Sequence, residues 1–160
     1  MDRLDIRILD ALQRDGTLTQ AELAEQVGST PSTSLRRAER LKASGHLDRC
    51  VYLADPKKLE RGLRAIITVV TSGLGGKKGK EFAKRLASEP ALDMAYGTTG
   101  EVDAVLLANF RDMEEFRTFC ERLFDNDPHV LRYTTMFAVD SYKHTTVVPT
   151  DALAARLEDA

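Results

Sequence analysis

Apolar residues recur at the spacing of a helical face in three stretches of the N-terminal third of the chain. The first stretch covers residues 4–12. Thr19 followed by Glu22 has the pattern of a capping box, which begins a second helix, and Thr30 followed by Pro31 begins a third. Three short helices joined by tight turns predict a small helix-turn-helix core.

The third predicted helix, residues 31–43, has two different sides. Leu35, Ala38 and Leu41 fall on an apolar stripe that we expect to pack inward. Hydroxyls and arginines occupy the helix start and the other side, which we expect to face outward: Ser32, Thr33, Ser34, Arg36, Arg37 and Arg40. Helix N-termini and hydroxyls bind phosphates, and arginines bind phosphates or guanine edges. The set predicts a DNA recognition helix, with a solvated arginine face on an ordinary helical bundle as the alternative.

From residue 64 onward the pattern alternates between strands and helices. It predicts strands at residues 64–71, 92–98, 103–110 and 130–139, and helices at 77–88 and after Asp112. The order β-α-β-β-α-β predicts a ferredoxin-like sheet of four strands with both helices on one face. A further short strand is expected at residues 47–53. The predicted fold class is therefore α+β, with an N-terminal helix-turn-helix domain and a C-terminal ferredoxin-like domain.

The second face of this predicted sheet lacks a helix to cover it. Its alternate residues are apolar or small: Ile66, Thr68, Val70, Val105 and Leu107. Large apolar surfaces exposed on a monomer usually mark an interface. Pairing of two sheets across a homodimer would cover this face, and a tolerably wet second face is the alternative.

The turn between the two central strands, TTGEVD, combines hydroxyls, a glycine and carboxylates. Its candidate binding residues are Thr98, Thr99, Gly100, Glu101 and Asp103. A free amino acid is a zwitterion, so its site needs acceptors for the ammonium group and donors for the carboxylate, and this turn offers both. Ordinary hairpin chemistry is the alternative account of the same residues.

Composition and charge narrow the class of protein. The 160 residues are 42% hydrophobic, enough for one ordinary domain or two small ones. The net charge is only −2, yet residues 31–43 carry four basic side chains and one acidic side chain, a local patch that phosphate binding requires. Neither a membrane span nor a signal-peptide core is found, so we expect a cytoplasmic protein.

Catalytic and metal-binding motifs are missing from the sequence. Cys50 and Cys120 lie far apart without a paired motif, and the three histidines stand in unrelated contexts. None of the patterns of zinc proteases, serine hydrolases or phosphate-binding loops occurs. We therefore expect no enzyme activity, no metal site and no cofactor.

Several segments together match one family. They are LDIRILDALQRDGTLTQAELAEQVGSTPSTSLRRAERLKASGHL near the N-terminus, then DPKKL, YGTTGEVDAVL, VLRYTTMFAV and a final K-TT-V-P. In this order they resemble the Lrp/AsnC family of feast/famine transcriptional regulators, over residues 2–149. The resemblance implies a sequence-specific regulator that binds promoter DNA and an amino acid or related metabolite.

The resemblance also implies a domain organisation. Residues 1–47 would form a winged-helix or helix-turn-helix DNA-binding domain and 48–63 a strand linker. Residues 64–149 would form the effector-binding and oligomerisation domain, followed by a tail at 150–160 that is either a short helix or a frayed end. Homodimers would assemble further to tetramers, octamers or larger forms on nucleoid DNA in the cytoplasm.

Site residues follow from the same resemblance. It implies DNA contacts by the hydroxyls and arginines of the third helix. It places the effector between dimers, beside the turn at residues 98–103, with three neighbours on the last strand: Thr134, Thr135 and Met136. Two other readings stay open, an architectural DNA-binding protein without an effector and an amino-acid sensor that acts on protein partners.

Overall fold

The computed structural model describes residues 1–73 and 75–158. They fall into two compact units, which we name the helical unit and the sheet unit. The helical unit comprises Met1–Leu53 and residues 143–158, and the sheet unit comprises Ala54–Tyr142. The segment after residue 142 therefore groups with the N-terminal helices, whereas the sequence pattern assigns part of it to the second half.

The described residues contain six α-helices and four strands. In chain order they are α1 (Arg3–Arg14), α2 (Gln20–Val27), α3 (Pro31–Ala43), β1 (Leu63–Thr71), α4 (Gly76–Ala87), β2 (Leu92–Gly97), β3 (Ala104–Phe110), α5 (Met113–Cys120), β4 (Val130–Phe137) and α6 (Asp151–Glu158). A π-helical turn, Glu121–Asp125, continues α5. Within the described ranges, none of the helices combines the length and the apolar character that a membrane crossing requires.

Helix starts in the helical unit follow the local capping signals. Thr19 caps α2 and forms the expected capping box with Glu22, and Thr30 caps α3. Gly28 ends α2 in the left-handed conformation with φ of 65°, which makes the short turn into α3 possible. One apolar cluster holds the three helices together: Ile8, Leu9, Ala11, Leu23, Val27, Ala38 and Leu41. The three-helix prediction is confirmed.

The C-terminal segment is attached to α1 by side-chain hydrogen bonds. Gln13 Nε2 donates to the Val148 carbonyl at 3.2 Å, and Gln13 Oε1 accepts from the Val148 N–H at 2.8 Å. The Thr150 hydroxyl donates to Asp10 at 2.8 Å. These contacts explain why the segment belongs to the helical unit, and α6 shows that the tail forms a helix.

The strand expected at residues 47–53 is absent. Residues 48–53 have no regular secondary structure, and Val51, Tyr52 and Leu53 are all exposed. A β-branched and aromatic run forms a strand only where a neighbouring strand accepts its backbone hydrogen bonds. The described part of the helical unit contains no strand that offers such pairing.

The sheet unit has the predicted ferredoxin-like arrangement. Its strands are ordered β2-β3-β1-β4, and each neighbouring pair is antiparallel. Ala65, Ile67 and Val69 of β1 are fully buried on one face, where Phe82 of α4 and Phe119 of α5 belong to the same core. Both helices therefore cover one face of the sheet, as expected.

The opposite face of the sheet, which we name the open face, is apolar and partly exposed. Two rows of side chains cross the four strands in register, one of Met94, Leu107, Ile66 and Met136 and one of Tyr96, Val105, Thr68 and Thr134. Tyr96 is 55% and Met136 51% exposed. The described helices of the sheet unit, α4 and α5, lie on the other face of the sheet.

Candidate nucleic-acid interface and effector turn

Helix α3 presents a polar outer side at its N-terminal end. Ser32 and Arg36 are exposed one turn apart, and Arg36 makes no hydrogen bond or ion pair with another described residue. The Thr30 hydroxyl accepts from the Thr33 N–H at 3.3 Å and donates to the Thr33 hydroxyl at 2.9 Å. This end of the helix therefore offers hydroxyls, free N–H groups and a guanidinium to a partner.

Arg37 and Arg40 are bound to two carboxylates at the start of α1. Arg37 Nη1 lies 2.6 Å from Asp2 Oδ2 and 2.9 Å from Asp5 Oδ1, and Arg40 Nη2 lies 2.6 Å from Asp5 Oδ2. The Arg37 side chain is 18% exposed and that of Arg40 52%. The expectation that Arg37 faces outward is therefore corrected, because its guanidinium is held against α1, while a DNA contact by Arg40 stays a prediction.

Ser34 does not face outward either. It is fully buried, and its Oγ atom has no hydrogen-bond partner among the described residues. The buried stripe of α3 is Ser34, Ala38 and Leu41, whereas Leu35 is 39% exposed. At the first turn of the helix the buried stripe passes through Ser34 and not through Leu35, whereas Ala38 and Leu41 are buried as predicted. The small serine fits against the core there, so Ser34 is removed from the candidate DNA contacts.

Asp2 and Asp5 are functional candidates that sequence reasoning missed. Asp2 Oδ1 accepts from the Asp5 N–H at 3.0 Å, and Asp5 Oδ2 accepts from the Asp2 N–H at 2.9 Å, so the pair forms the capping box of α1. The aspartate spacing immediately before the first apolar stripe is a signal for this cap. The second role of the two aspartates is to bind arginines of α3, and no residue pattern near them in the sequence indicates it.

Both carboxyl groups are ionised at neutral pH. The hydrogen bond from Arg37 is the main cause that lowers the pKa of Asp2 to about 2. Burial alone would raise the pKa of Asp5, which is 1% exposed, but the Asp2 N–H and Arg37 outweigh it and hold this pKa below its ordinary value. The same partners raise the pKa of Arg37. The network is therefore fully charged under ordinary conditions.

The turn between β2 and β3 is closed by its own groups. The Thr98 hydroxyl donates to the Val102 carbonyl at 2.6 Å, and the Thr98 N–H donates to the Asp103 carbonyl at 2.8 Å. Gly100 has φ of 109°, in the region that favours glycine. The exposed tip consists of Thr99, Gly100 and Glu101. The structure thus brings the five predicted turn residues together, with the tip available to a ligand.

Asp103 also joins the turn to β1. Its Oδ2 atom accepts from the Thr71 N–H at 2.6 Å and from the Thr71 hydroxyl at 3.0 Å. The Asp103 N–H donates to the Val69 carbonyl at 2.9 Å. Thr71 is only 5% exposed, so these bonds are shielded from water. Asp103 therefore has a structural role. Its Oδ1 atom makes no hydrogen bond with a described residue and is left for another partner.

The three candidates on β4 do not form one group with the turn in a single chain. β1 separates β4 from β3, and strands lie about 4.8 Å apart, so Thr134 is about 10 Å from the nearest residue of β3. Thr134 and Met136 lie on the open face. Thr135 pairs with Ile67 and faces the helices, where its Oγ atom is buried without a hydrogen-bond partner among the described residues. The expectation that Thr135 shares a pocket with its neighbours is corrected, because successive residues of a strand face opposite sides.

A cleft of the sheet unit lies away from the turn. It has a volume of about 570 Å³ and is lined by Lys78, Lys84 and Arg85 of α4 and by His129. His129 Nδ1 lies 2.6 Å from the Ser72 hydroxyl. In residues 1–73 and 75–158, no group of three or more His, Cys, Asp or Glu side chains is arranged to hold a metal ion.

The fold and the exposed end of α3 define a class of protein. Helices α2 and α3 form a helix-turn-helix DNA-binding unit, and its combination with a ferredoxin-like unit is typical of two-domain transcriptional regulators. Family models narrow this class: the AsnC-type helix-turn-helix domain matches residues 1–42, and the Lrp/AsnC ligand binding domain matches residues 64–148. The chain belongs to the Lrp/AsnC family of transcriptional regulators.

Similar proteins agree with this assignment. The DNA-binding transcriptional activator DecR of Escherichia coli K12 is 30% identical over 149 residues, which cover 93% of this chain and 98% of DecR. The complex of a Neisseria meningitidis transcriptional regulator with L-Met has a TM-score of 0.89 at 34% identity, covering 96% of this chain and 99% of the other. An AsnC family regulator from Agrobacterium tumefaciens has a TM-score of 0.89 at 29% identity, with the same coverage. These relatives are regulators and not enzymes, as predicted for this chain.

Proposed function

We propose that the protein is a sequence-specific regulator that reads promoter DNA through α3. The observation that carries the proposal is Arg36, which is exposed beside Ser32 at the N-terminal end of the recognition helix and has no partner among the described residues. In helix-turn-helix proteins this end contacts base edges in the major groove. Thr33 and the exposed half of Arg40 are the further contacts in this proposal, since hydroxyls and arginines bind phosphates and base edges.

Salt-dependent binding to promoter DNA tests this proposal. Footprinting upstream of the neighbouring gene supplies the duplex, and fluorescence anisotropy gives its affinity as a function of salt. Arg36→Ala is expected to weaken binding and to flatten the salt dependence, because one cation fewer meets the DNA. Lys80→Ala is the matched control, because it removes one exposed cation from the sheet unit. Equal effects of the two variants would contradict the role of Arg36.

We propose further that two copies pair through the open face. A row of four apolar side chains that includes Met94 and Met136 crosses the open face, and contiguous exposed apolar surfaces mark interaction sites. Pairing would cover it in the way that two sheets pack face to face. A dimer of this kind would carry two recognition helices into successive major grooves, about 34 Å apart on DNA. Larger assemblies belong to the same proposal.

Light scattering on matched variants tests the dimer. Met136→Arg adds a charge to the open face and is expected to shift the protein toward monomer. Met113→Arg is the control, because Met113 is also about half exposed, at 54%, but lies on α5. Because both methionines are at the surface, neither change is expected to unfold the chain. A Met136→Arg protein of unchanged mass would contradict pairing through this face.

The effector is proposed to be an amino acid bound at the turn of residues 98–103. Thr99, Glu101 and Asp103 Oδ1 supply donors and acceptors for a zwitterion. The Neisseria regulator solved with L-Met, at 34% identity, supports this ligand class. Binding between dimers would change the assembly state if the ligand has different affinities for the two states. Thr134 and Met136 would then reach the ligand only from a neighbouring copy.

Thermal denaturation with each amino acid in turn tests the effector proposal. A ligand at 100 times its Kd raises the free energy of unfolding by about 2.7 kcal/mol. L-Met is the first probe, and Glu101→Gln is expected to reduce the shift with any amino acid that binds. Binding of DNA without a shift from any amino acid would favour an architectural protein that has no effector.

A further inference from the structure

A network of charges around the buried Asp5 joins α1 to the recognition helix. The Asp5 carboxylate accepts three hydrogen bonds, from the Asp2 N–H, from Arg37 Nη1 and from Arg40 Nη2. We propose that Asp5 is a positioning residue for DNA recognition, which fixes the rotation of α3 on α1 and thereby the direction in which Arg36 points. The inference rests on the proposed function, since it concerns the orientation of a helix that reads DNA.

The burial of Asp5 makes its partners obligatory. The residue is 1% exposed, and a carboxylate removed from water is stable only when it is paired and hydrogen-bonded. Arg37 and Arg40 are three residues apart, so they leave α3 from the same side. Turning α3 by one residue position would carry at least one guanidinium away from Asp5. The carboxylate therefore selects one rotation of the helix.

The apolar part of the contact between the two helices lacks this directionality. Ile8 of α1 and Ala38 and Leu41 of α3 belong to one apolar cluster, and apolar contacts have no preferred direction. Ser34 Oγ and Arg37 Nε are buried on the same side of α3 without partners among the described residues. The hydrogen bonds to the α1 carboxylates thus supply the rotational specificity that the apolar cluster lacks.

The network also removes positive charge from the DNA-facing helix. Arg37 is neutralised by Asp2 and Asp5, and Arg40 shares Asp5, so Arg36 is the arginine of α3 without a carboxylate among the described residues. Loss of the Asp5 charge would release Arg40 toward phosphates and loosen α3. Sequence-independent attraction would then grow while selective reading weakens. A variant that simply contained less folded protein would instead lose sequence-independent binding and selective binding alike.

The test compares two duplexes. Anisotropy measures the full-length chain on the footprinted operator and on a scrambled duplex of equal length, over a series of salt concentrations. Asp5→Asn removes the buried charge, and Asp48→Asn removes an exposed charge from the same unit, whose ion pair with Arg49 spans 4.0 Å. For Asp5→Asn we expect the operator-to-scrambled affinity ratio to fall about tenfold, with scrambled affinity raised. A ratio equal to that of Asp48→Asn would overturn the inference.

A second pair of variants stays informative if Asp5→Asn does not fold. Arg36→Gln and Arg37→Gln each remove one cation from α3. Arg36→Gln is expected to reduce the salt slope by about 0.9, the value for one phosphate, whereas Arg37→Gln is expected to weaken operator binding at an unchanged slope. A reduced slope for Arg37→Gln would show that Arg37 contacts phosphate in the complex, against the inference.

Amide hydrogen exchange without DNA separates this inference from the proposed function. Asp5→Asn is expected to speed exchange throughout α3 relative to Asp48→Asn, because the anchor of that helix is lost. Wild-type protein that binds no duplex in a salt-dependent manner would refute the proposed DNA binding. Unchanged exchange in α3 would refute the positioning role, whatever the DNA result.

Discussion

Two hydrogen bonds to Asp103 lead to a stability prediction of definite size. Asp103→Ala removes the acceptor of the Thr71 N–H, at 2.6 Å, and of the Thr71 hydroxyl, at 3.0 Å. The hydroxyl can rotate to another partner, but the N–H has a fixed direction. Because Thr71 is 5% exposed, water does not readily replace the lost carboxylate. The variant therefore leaves a buried donor unpaired at the end of β1.

The magnitude follows from the charge of the acceptor and the burial of the donor. A hydrogen bond to a charged group contributes about 1.5–3 kcal/mol, and an orphaned buried donor costs about 1–3 kcal/mol. We expect Asp103→Ala to lower the free energy of unfolding of the sheet unit by about 2–3 kcal/mol. In a unit of about 90 residues this corresponds to a fall in Tm of roughly 8–24 °C. Asp103→Asn keeps one acceptor and should lose about 1 kcal/mol.

Differential scanning calorimetry of the full-length chain without ligand measures this effect. Glu101→Ala is the control, because Glu101 is exposed in the same turn and makes no hydrogen bond or ion pair with the described residues. Site-resolved exchange of the Thr71 amide provides a second readout, and it should accelerate in Asp103→Ala. Equal Tm values for Asp103→Ala and Glu101→Ala would refute the reasoning. Effector studies at this position should accordingly use Asp103→Asn.

Three further predictions concern the pH, the C-terminal segment and the thiols. Asp2 and Asp5 have pKa values below the unfolded-state value of 3.8, so their stabilising effect is complete above about pH 5 and is lost as the pH falls toward 2. Urea unfolding of the helical unit over this range should show the loss of stability. Gln13→Ala loses two hydrogen bonds to the C-terminal segment, which should cost about 1 kcal/mol and speed its amide exchange. Cys50 is exposed, whereas Cys120 is buried with a pKa raised to about 11 by desolvation. A thiol reagent should therefore label one cysteine in the native protein and two in urea.

Local signals predicted most of the fold. The capping box of Thr19 with Glu22 and the cap at Thr30 depend on residues three positions apart, so the sequence places these helix starts correctly. Strand β1 alternates buried and less buried residues at period two from residue 64 to residue 71, and β3 does so from residue 104 to residue 108. The strand predicted at residues 47–53 is absent because a strand requires a partner strand, which composition alone does not reveal.

Long-range contacts account for the errors at the candidate interface. Arg37 and Asp5 are 32 residues apart, and no spacing rule within α3 distinguishes an arginine that binds DNA from one that binds another helix. The sequence pattern puts Ser34 on the outer side because a hydroxyl is polar, yet the small size of serine suits a close contact between helices. The turn at residues 98–103 was found because its residues are consecutive, whereas its bonds to Thr71 depend on the sheet.

Helix α3 has one cation without a carboxylate partner among the described residues, and this connects the DNA interface to the open face. Arg37 and Arg40 contact carboxylates of α1, and Lys42 pairs with a neighbouring glutamate at 2.9 Å, which leaves Arg36 for phosphates. One recognition helix therefore supplies little charge for counterion release. Two units joined in the proposed dimer gain affinity without new contacts, because the second binds at a high effective concentration. Met136→Arg should thus lower operator affinity together with the dimer fraction, although Met136 belongs to the sheet unit and not to the recognition helix.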